Sequence, residues 1–289
     1  MTMDPIVFHL GPIELAGFGI AMMLAFVVGG ALMAKESRRL GFADAYASDM
    51  IVAAVLGGII GAKLWYVALT GDPAALFSRA GLVYYGGFLG GVGAVVLNGR
   101  RKGVPIRWTM HLAALALPAG YAIGRVGCLL ANDDYGRPTD LPWGIKFPHG
   151  APPSTVGIMS REFGVTFPAG TDPNLVVAVH PTQIYEAIVM GLVALWLWQR
   201  RKAAAPVGHL FGWYLIVAGI ERFGIEVLRA KDDRLLGVFT LAQLTSVLLV
   251  ATGAVLLQAW KSAPAVAPGA YLGGSPDKAV RPATTVGTH

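Results

Sequence analysis

Residues 108–131, WTMHLAALALPAGYAIGRVGCLLA, decide the fold. The stretch is longer than the roughly 20 residues a helix needs to cross a bilayer, and Arg125 is its one Asp, Glu, Lys or Arg. Six further apolar stretches flank it, near residues 15–34, 49–69, 82–98, 181–199, 208–228 and 238–260. The third is short and its boundary soft. Hydrophobic residues make up 55% of the 289, charged residues 14%, and the mean hydropathy is +0.58, values a water-soluble fold rarely shows. The expected fold is therefore an all-α membrane protein of about seven transmembrane helices, its membrane domain covering residues 1–261.

The net charge of +6 does not imply a nucleic-acid partner, because no Lys/Arg run alternates with exposed aromatics. The basic residues cluster instead between the apolar stretches: Lys35, Arg38 and Arg39; Arg100, Arg101, Lys102 and Arg107; Arg200, Arg201 and Lys202. These alternate loops carry the positive-inside bias, which puts the N-terminus in the periplasm and the C-terminus in the cytoplasm. Asp4 and Glu14 stand where a cleavable signal would carry basic residues, so the first apolar segment reads as a retained helix. Residues 132–180, rich in Pro and Gly, would form a small periplasmic cap, and residues 262–289 a disordered cytoplasmic tail. No internal repeat points to an inverted-repeat transporter. The single cysteine, Cys128, excludes a paired-cysteine metal site, and no pattern for a metal or organic cofactor is visible.

Charges inside apolar spans locate the chemistry, since each costs about 3 kcal/mol at a helix centre unless it finds a partner or a wet cavity. Lys63, Arg125, Arg222 and Glu226 are such residues. With the topology above, all four fall in the outer half of the membrane, at the depth where Tyr84, Tyr85, Gly86 and Gly87 open the third span and His180, Pro181, Thr182, Gln183, Tyr185 and Glu186 open the fifth. Five helices are thus expected to converge on one polar layer. Lys63, Arg125, Arg137, Arg222 and Arg229 outnumber its acids, so an anion fits, and phosphate on a phospholipid headgroup is the anion arginine clamps best. Simpler readings stand beside this one. Arg222, Glu226 and Arg229, spaced i, i+4, i+7, could form a self-shielding ion pair; Arg125 could snorkel; the glycines could serve helix packing; His180 could be a polar cap; Cys128 could fill a helix interface.

The run Gly124-Arg125-Val126-Gly127 through Tyr135-Gly136-Arg137-Pro138-Thr139-Asp140-Leu141-Pro142-Trp143-Gly144 resembles the signature of the prolipoprotein diacylglyceryl transferase family. Tyr85-Gly86-Gly87, the HPTQIYE run at 180–186, and RFGIEVLR at 222–229 followed by Asp232 are similar to the family's other three blocks, in the family's order. The resemblance implies transfer of diacylglyceryl from phosphatidylglycerol to the lipobox cysteine thiol in the signal peptide of a preprolipoprotein, releasing glycerol phosphate, in the bacterial inner membrane among membrane lipids. Arg125 and Arg222 would hold the phosphate and offset its charge, Lys63 and Arg137 would assist, and Glu226 would orient an arginine. Gly86, Gly87, Gln183, Tyr185 and Arg229 would line the substrate site. Tyr85, His180 and Asp133, in that order, are the candidates for the base, unless the positive field itself ionises the thiol. The chain departs from the family at Tyr85 (usually His), Cys128 and Ala131 (usually Asn), Asp133 (usually Glu), Ala218 and Phe18 (usually Tyr). Two other readings stay open: a relative using another acceptor, and a non-catalytic lipid-binding or transport protein.

Overall fold

The structure, a computed structural model, describes residues 1–10, 13–43, 45–78, 83–229, 234–235 and 239–271. Its helices, in chain order, are α1 (Gly17–Leu40), α2 (Tyr46–Thr70), α3 (Tyr84–Arg101), α4 (Ile106–Ala131), the eight-residue α5 (Val156–Phe163), α6 (Thr182–Arg200), α7 (His209–Leu228) and α8 (Leu241–Ala259). Each helix other than α5 overlaps one of the seven apolar stretches. The first outruns its expected end because Lys35, Glu36, Arg38 and Arg39 are good helix formers and Glu36 pairs with Arg39 one turn on. Four helices, α1, α2, α4 and α8, are long and apolar enough to cross a membrane, with hydropathies of 2.1, 1.9, 1.5 and 1.7. The protein is thus a multi-pass membrane protein. The helices α3, α6 and α7 are diluted by glycine and by the charges Arg100, Arg101, Glu186, Arg200, Glu221, Arg222 and Glu226.

The chain divides into two compact units. The first comprises residues 1–29, 114–200 and 210–259. Its interior joins Ala114 and Leu115 of α4 to Met190, Val193 and Leu197 of α6 and Leu210 of α7. The loop after α4 folds around a small core of its own. There a two-residue strand at Ile145–Lys146 pairs antiparallel with Ala178–Val179 over a core of Tyr135, Ile145, Phe147, Met159 and Val179. Thr155 caps α5 by accepting from the Ile158 amide, and the N-terminal segment ties to the same loop through Met3 N to Lys146 O at 3.0 Å.

The second unit comprises residues 30–113, 201–209 and the chain from 260. Within it α2 and α3 pack backbone to backbone. A Cβ on Gly57, Gly61, Gly86 or Gly90 would press into a carbonyl of the facing helix, so glycine is what permits this approach. The fully buried Glu36 accepts from Arg39 at 2.9 and 2.5 Å and lies 3.3 Å from Arg201 Nε. The expected disordered tail does not begin at 262. Residues 262–271 are held by Val266 N to Ala205 O and Tyr271 N to Leu40 O, and the Tyr271 ring stacks on Phe42 at 3.9 Å. Ten residues without helical periodicity can still be ordered when their backbone groups and one aromatic find partners. The remainder of that expectation, residues 272–289, lies outside the described residues, as does Asp232.

Candidate headgroup site

The charged residues of α4, α6 and α7 meet in the first unit. Arg125, on α4, is buried. Its Nε and Nη2 donate to the two carboxylate oxygens of Glu186 on α6, at 2.7 and 2.6 Å, and its ring-facing side lies 5.5 Å from the Tyr121 centroid. Tyr121 Oη donates to the same carboxylate. Arg125 Nη1 turns the other way and donates to Asp134 Oδ2 at 2.8 Å. Asp134 Oδ1 in turn accepts from Arg229 Nη2 at 2.6 Å. Arg229 Nε lies 3.8 Å from Glu226, whose Oε2 lies 2.7 Å from Arg222 Nη1. Three arginines and three carboxylates therefore alternate along one relay, Glu186, Arg125, Asp134, Arg229, Glu226, Arg222.

This relay corrects the expected excess of positive charge: Arg125, Arg222 and Arg229 each have a carboxylate, because buried guanidinium groups in apolar helices need local counter-ions. Lys63, Tyr85, Gly86 and Gly87 belong to the second unit. There Lys63 Nζ donates to the Ser78 carbonyl at 2.6 Å, Tyr85 is half-exposed with its ring edge-on to Tyr84 at 5.6 Å, and Gly86 and Gly87 face α2. The packing role of the two glycines is thus on display.

The loop from Asn132 to Arg137 is aimed by its backbone. Asn132 and Asp134 sit in the left-handed region, at φ 57° and 58°, which Asn and Asp tolerate better than other side-chain-bearing residues. The Thr182 hydroxyl donates to Asp134 O at 2.9 Å, and the buried Gln183 amide donates to Asp133 O. Gln183 is therefore a strut for this loop, and its Oε1 is buried without a hydrogen-bond partner. Gly136 threads between α6 and α7, where a Cβ would sit 2.6 Å from Leu228 O, and its amide donates to His180 O at 2.8 Å. Arg137 is exposed and donates from Nε to Arg229 O at 3.1 Å. Tyr185 Oη accepts from Trp143 Nε1 at 2.7 Å, and His180 Nδ1 lies 3.4 Å from the same oxygen.

Electrostatics divide the two neighbouring aspartates. For Asp134 burial pushes upward, but the Arg229 and Arg125 guanidiniums outweigh it and hold the carboxyl at about 2. For Asp133 burial, reinforced by the negative charge of Asp134, raises proton affinity above that of an ordinary aspartate. Its Oδ1 is buried without a hydrogen-bond partner. Asp134 and Tyr121 were not among the residues singled out from the sequence, and Glu186 was placed in the polar layer without being assigned to Arg125. Glu186 had a readable signal, being an acid in an apolar span that a lone arginine elsewhere requires. For Asp134 no signal separates it from Asp133 except the turn that points the two carboxylates differently.

The chain is thus a polytopic helical protein whose α4, α6 and α7 and the loop after α4 share one relay of arginines and carboxylates. Residues 5–259 match the family described as prolipoprotein diacylglyceryl transferase, and the chain belongs to that family. It is 31% identical over 278 residues to the phosphatidylglycerol–prolipoprotein diacylglyceryl transferase of Geobacter sulfurreducens, covering 90% of this chain and 98% of that one. The Stenotrophomonas maltophilia protein of the same name is 31% identical over 283 residues, 92% of this chain and 94% of its own. The Nitratidesulfovibrio vulgaris Hildenborough protein is 29% identical over 272 residues, 88% and 94% respectively.

Proposed function

We propose that this chain is a transferase that moves the diacylglyceryl group of phosphatidylglycerol to the lipobox cysteine thiol of a preprolipoprotein. The thiol sulfur forms a bond to the terminal glyceryl carbon, the bond from that carbon to the phosphate oxygen breaks, and glycerol phosphate departs with the electron pair. The relay from Arg125 through Asp134 to Arg229 carries this reading, in a chain whose relatives bear that name over nearly their whole length. Arg125 and Arg229 grip the phosphodiester, Arg222 and Glu226 set the field at the far end, and the guanidiniums offset charge as it gathers on the leaving oxygen. Asp133 takes the thiol proton: a buried carboxylate of raised proton affinity is a better acceptor than an ordinary one.

Seven helices cross the bacterial inner membrane, with the N-terminus and the cap of residues 132–180 on the periplasmic side and the C-terminus in the cytoplasm. The basic clusters after α1, α3 and α6 support this orientation. The test supplies purified protein with phosphatidylglycerol vesicles and a lipobox peptide. Stoichiometric glycerol phosphate and a thioether-linked peptide are expected. The absence of both from folded protein would overturn the reading.

A further inference from the structure

Asp134 differs from the other two carboxylates of the relay in one respect. The Glu186 and Glu226 side chains are 0% and 1% exposed, whereas that of Asp134 is 43% exposed. Glu186 and Glu226 have nowhere to go; Asp134 can leave the arginines by rotating toward water. Its departure would not loosen the loop, because the backbone on either side is independently fixed. Thr182 Oγ1 binds Asp134 O at 2.9 Å, the Gly136 amide binds His180 O at 2.8 Å, the Arg137 amide binds Leu228 O at 2.7 Å, and Asn132 Nδ2 binds Met3 O at 2.8 Å. The carboxylate is thus not needed as a clasp.

Its two oxygens reach separate guanidiniums, Arg125 Nη1 at 2.8 Å and Arg229 Nη2 at 2.6 Å, as two oxygens of a phosphodiester would. We infer that Asp134 is a displaceable counter-ion: it occupies the place between Arg125 and Arg229 that a lipid phosphodiester takes, and it must swing out for the headgroup to enter. This rests on the transferase reading only for the identity of the lipid. A phosphodiester and a carboxylate each carry one negative charge, so the exchange leaves the buried network balanced. While the site holds no lipid, Asp134 spares the relay one uncompensated positive charge beside the apolar phase, three arginines against two carboxylates.

A resident competitor weakens ligand binding by the fraction of time it holds the site. Its removal should therefore tighten binding. Asp134→Asn and Asp134→Gly both delete the charge and both keep a residue suited to the left-handed backbone, so strain does not confound them. The measurement is the affinity of purified protein in detergent for glycerol phosphate, by calorimetric titration, alongside KM and kcat for phosphatidylglycerol. Both variants are expected to bind glycerol phosphate about tenfold more tightly, the gain if Asp134 vacates its place roughly one-tenth of the time, and to lower KM by a similar factor. A lower thermal midpoint with unchanged or weaker binding would overturn the inference and leave Asp134 a structural ion pair. Absence of anion binding by every version would overturn it too. Failure of the wild type to lipidate peptide, with the variants still binding glycerol phosphate more tightly, would sink the transferase reading and keep Asp134 as the site's own competitor.

Discussion

Arg125 and Glu186 face each other across α4 and α6 with two parallel hydrogen bonds, at 2.7 and 2.6 Å, and both residues are buried. Breaking one side of such a pair strands the other charge, at about 3–5 kcal/mol. Glu186→Gln should therefore lower the thermal midpoint in detergent clearly. Replacing both residues with Met should cost less stability than either single change. Additive losses in the double variant would show that the two side chains are not coupled.

Glycine seams make a second, independent expectation. A methyl group at Gly90 would run into the Gly57 carbonyl, while one at Gly93 would meet open space. Gly90→Ala should destabilise by about 1–3 kcal/mol, as overpacking does, and Gly93→Ala should be neutral or slightly stabilising. Thermal midpoints of the two proteins, prepared side by side, decide between them; equal midpoints would contradict the close packing of α2 and α3.

Proton transfer separates Asp133 from Tyr85. If Asp133 accepts the thiol proton, Asp133→Asn should cut the lipidation rate by about 10² or more, and Tyr85→Phe by less than about tenfold. Because burial and the charge of Asp134 raise the proton affinity of Asp133, the wild-type rate should fall as pH drops through that raised value. Rate against pH checks this, and a larger loss for Tyr85→Phe would return the role to the phenol.

The stability profile at low pH reads Asp134. Its proton affinity is depressed in the folded protein, from 3.8 to about 2, so its contribution is complete above pH 3.8 and is lost as pH falls toward 2. Asp134→Asn should flatten the thermal midpoint across that window. An identical slope in wild type and variant would show that the guanidiniums do not hold the carboxylate.

The helices were legible because hydropathy alone marks a bilayer-length segment; even α7 could be placed despite Glu221, Arg222 and Glu226. That Arg125 needs a partner from another element was legible because nothing on its own helix could neutralise it. The pairing itself was not, since Glu186, though readable as an acid in an apolar span, lies 61 positions away and only the packing of α6 against α4 brings the two together. The balance of charge was misjudged for the same reason: a count along the chain cannot assign each carboxylate to its arginine. Residues 262–271 were read as loose because their order comes from partners in distant loops, the Ala205 backbone and the Phe42 ring, rather than from any local period.

The most direct test of a guanidinium-held phosphodiester is Arg125→Lys. Lysine keeps the charge but cannot make the paired contact to Glu186 while also reaching Asp134. Mass spectrometry of a lipobox peptide incubated with phosphatidylglycerol vesicles and the purified variant should find less than about one-hundredth of the wild-type thioether product, with membrane abundance unchanged. Lipidation at the wild-type rate would show that the transfer does not depend on this arginine.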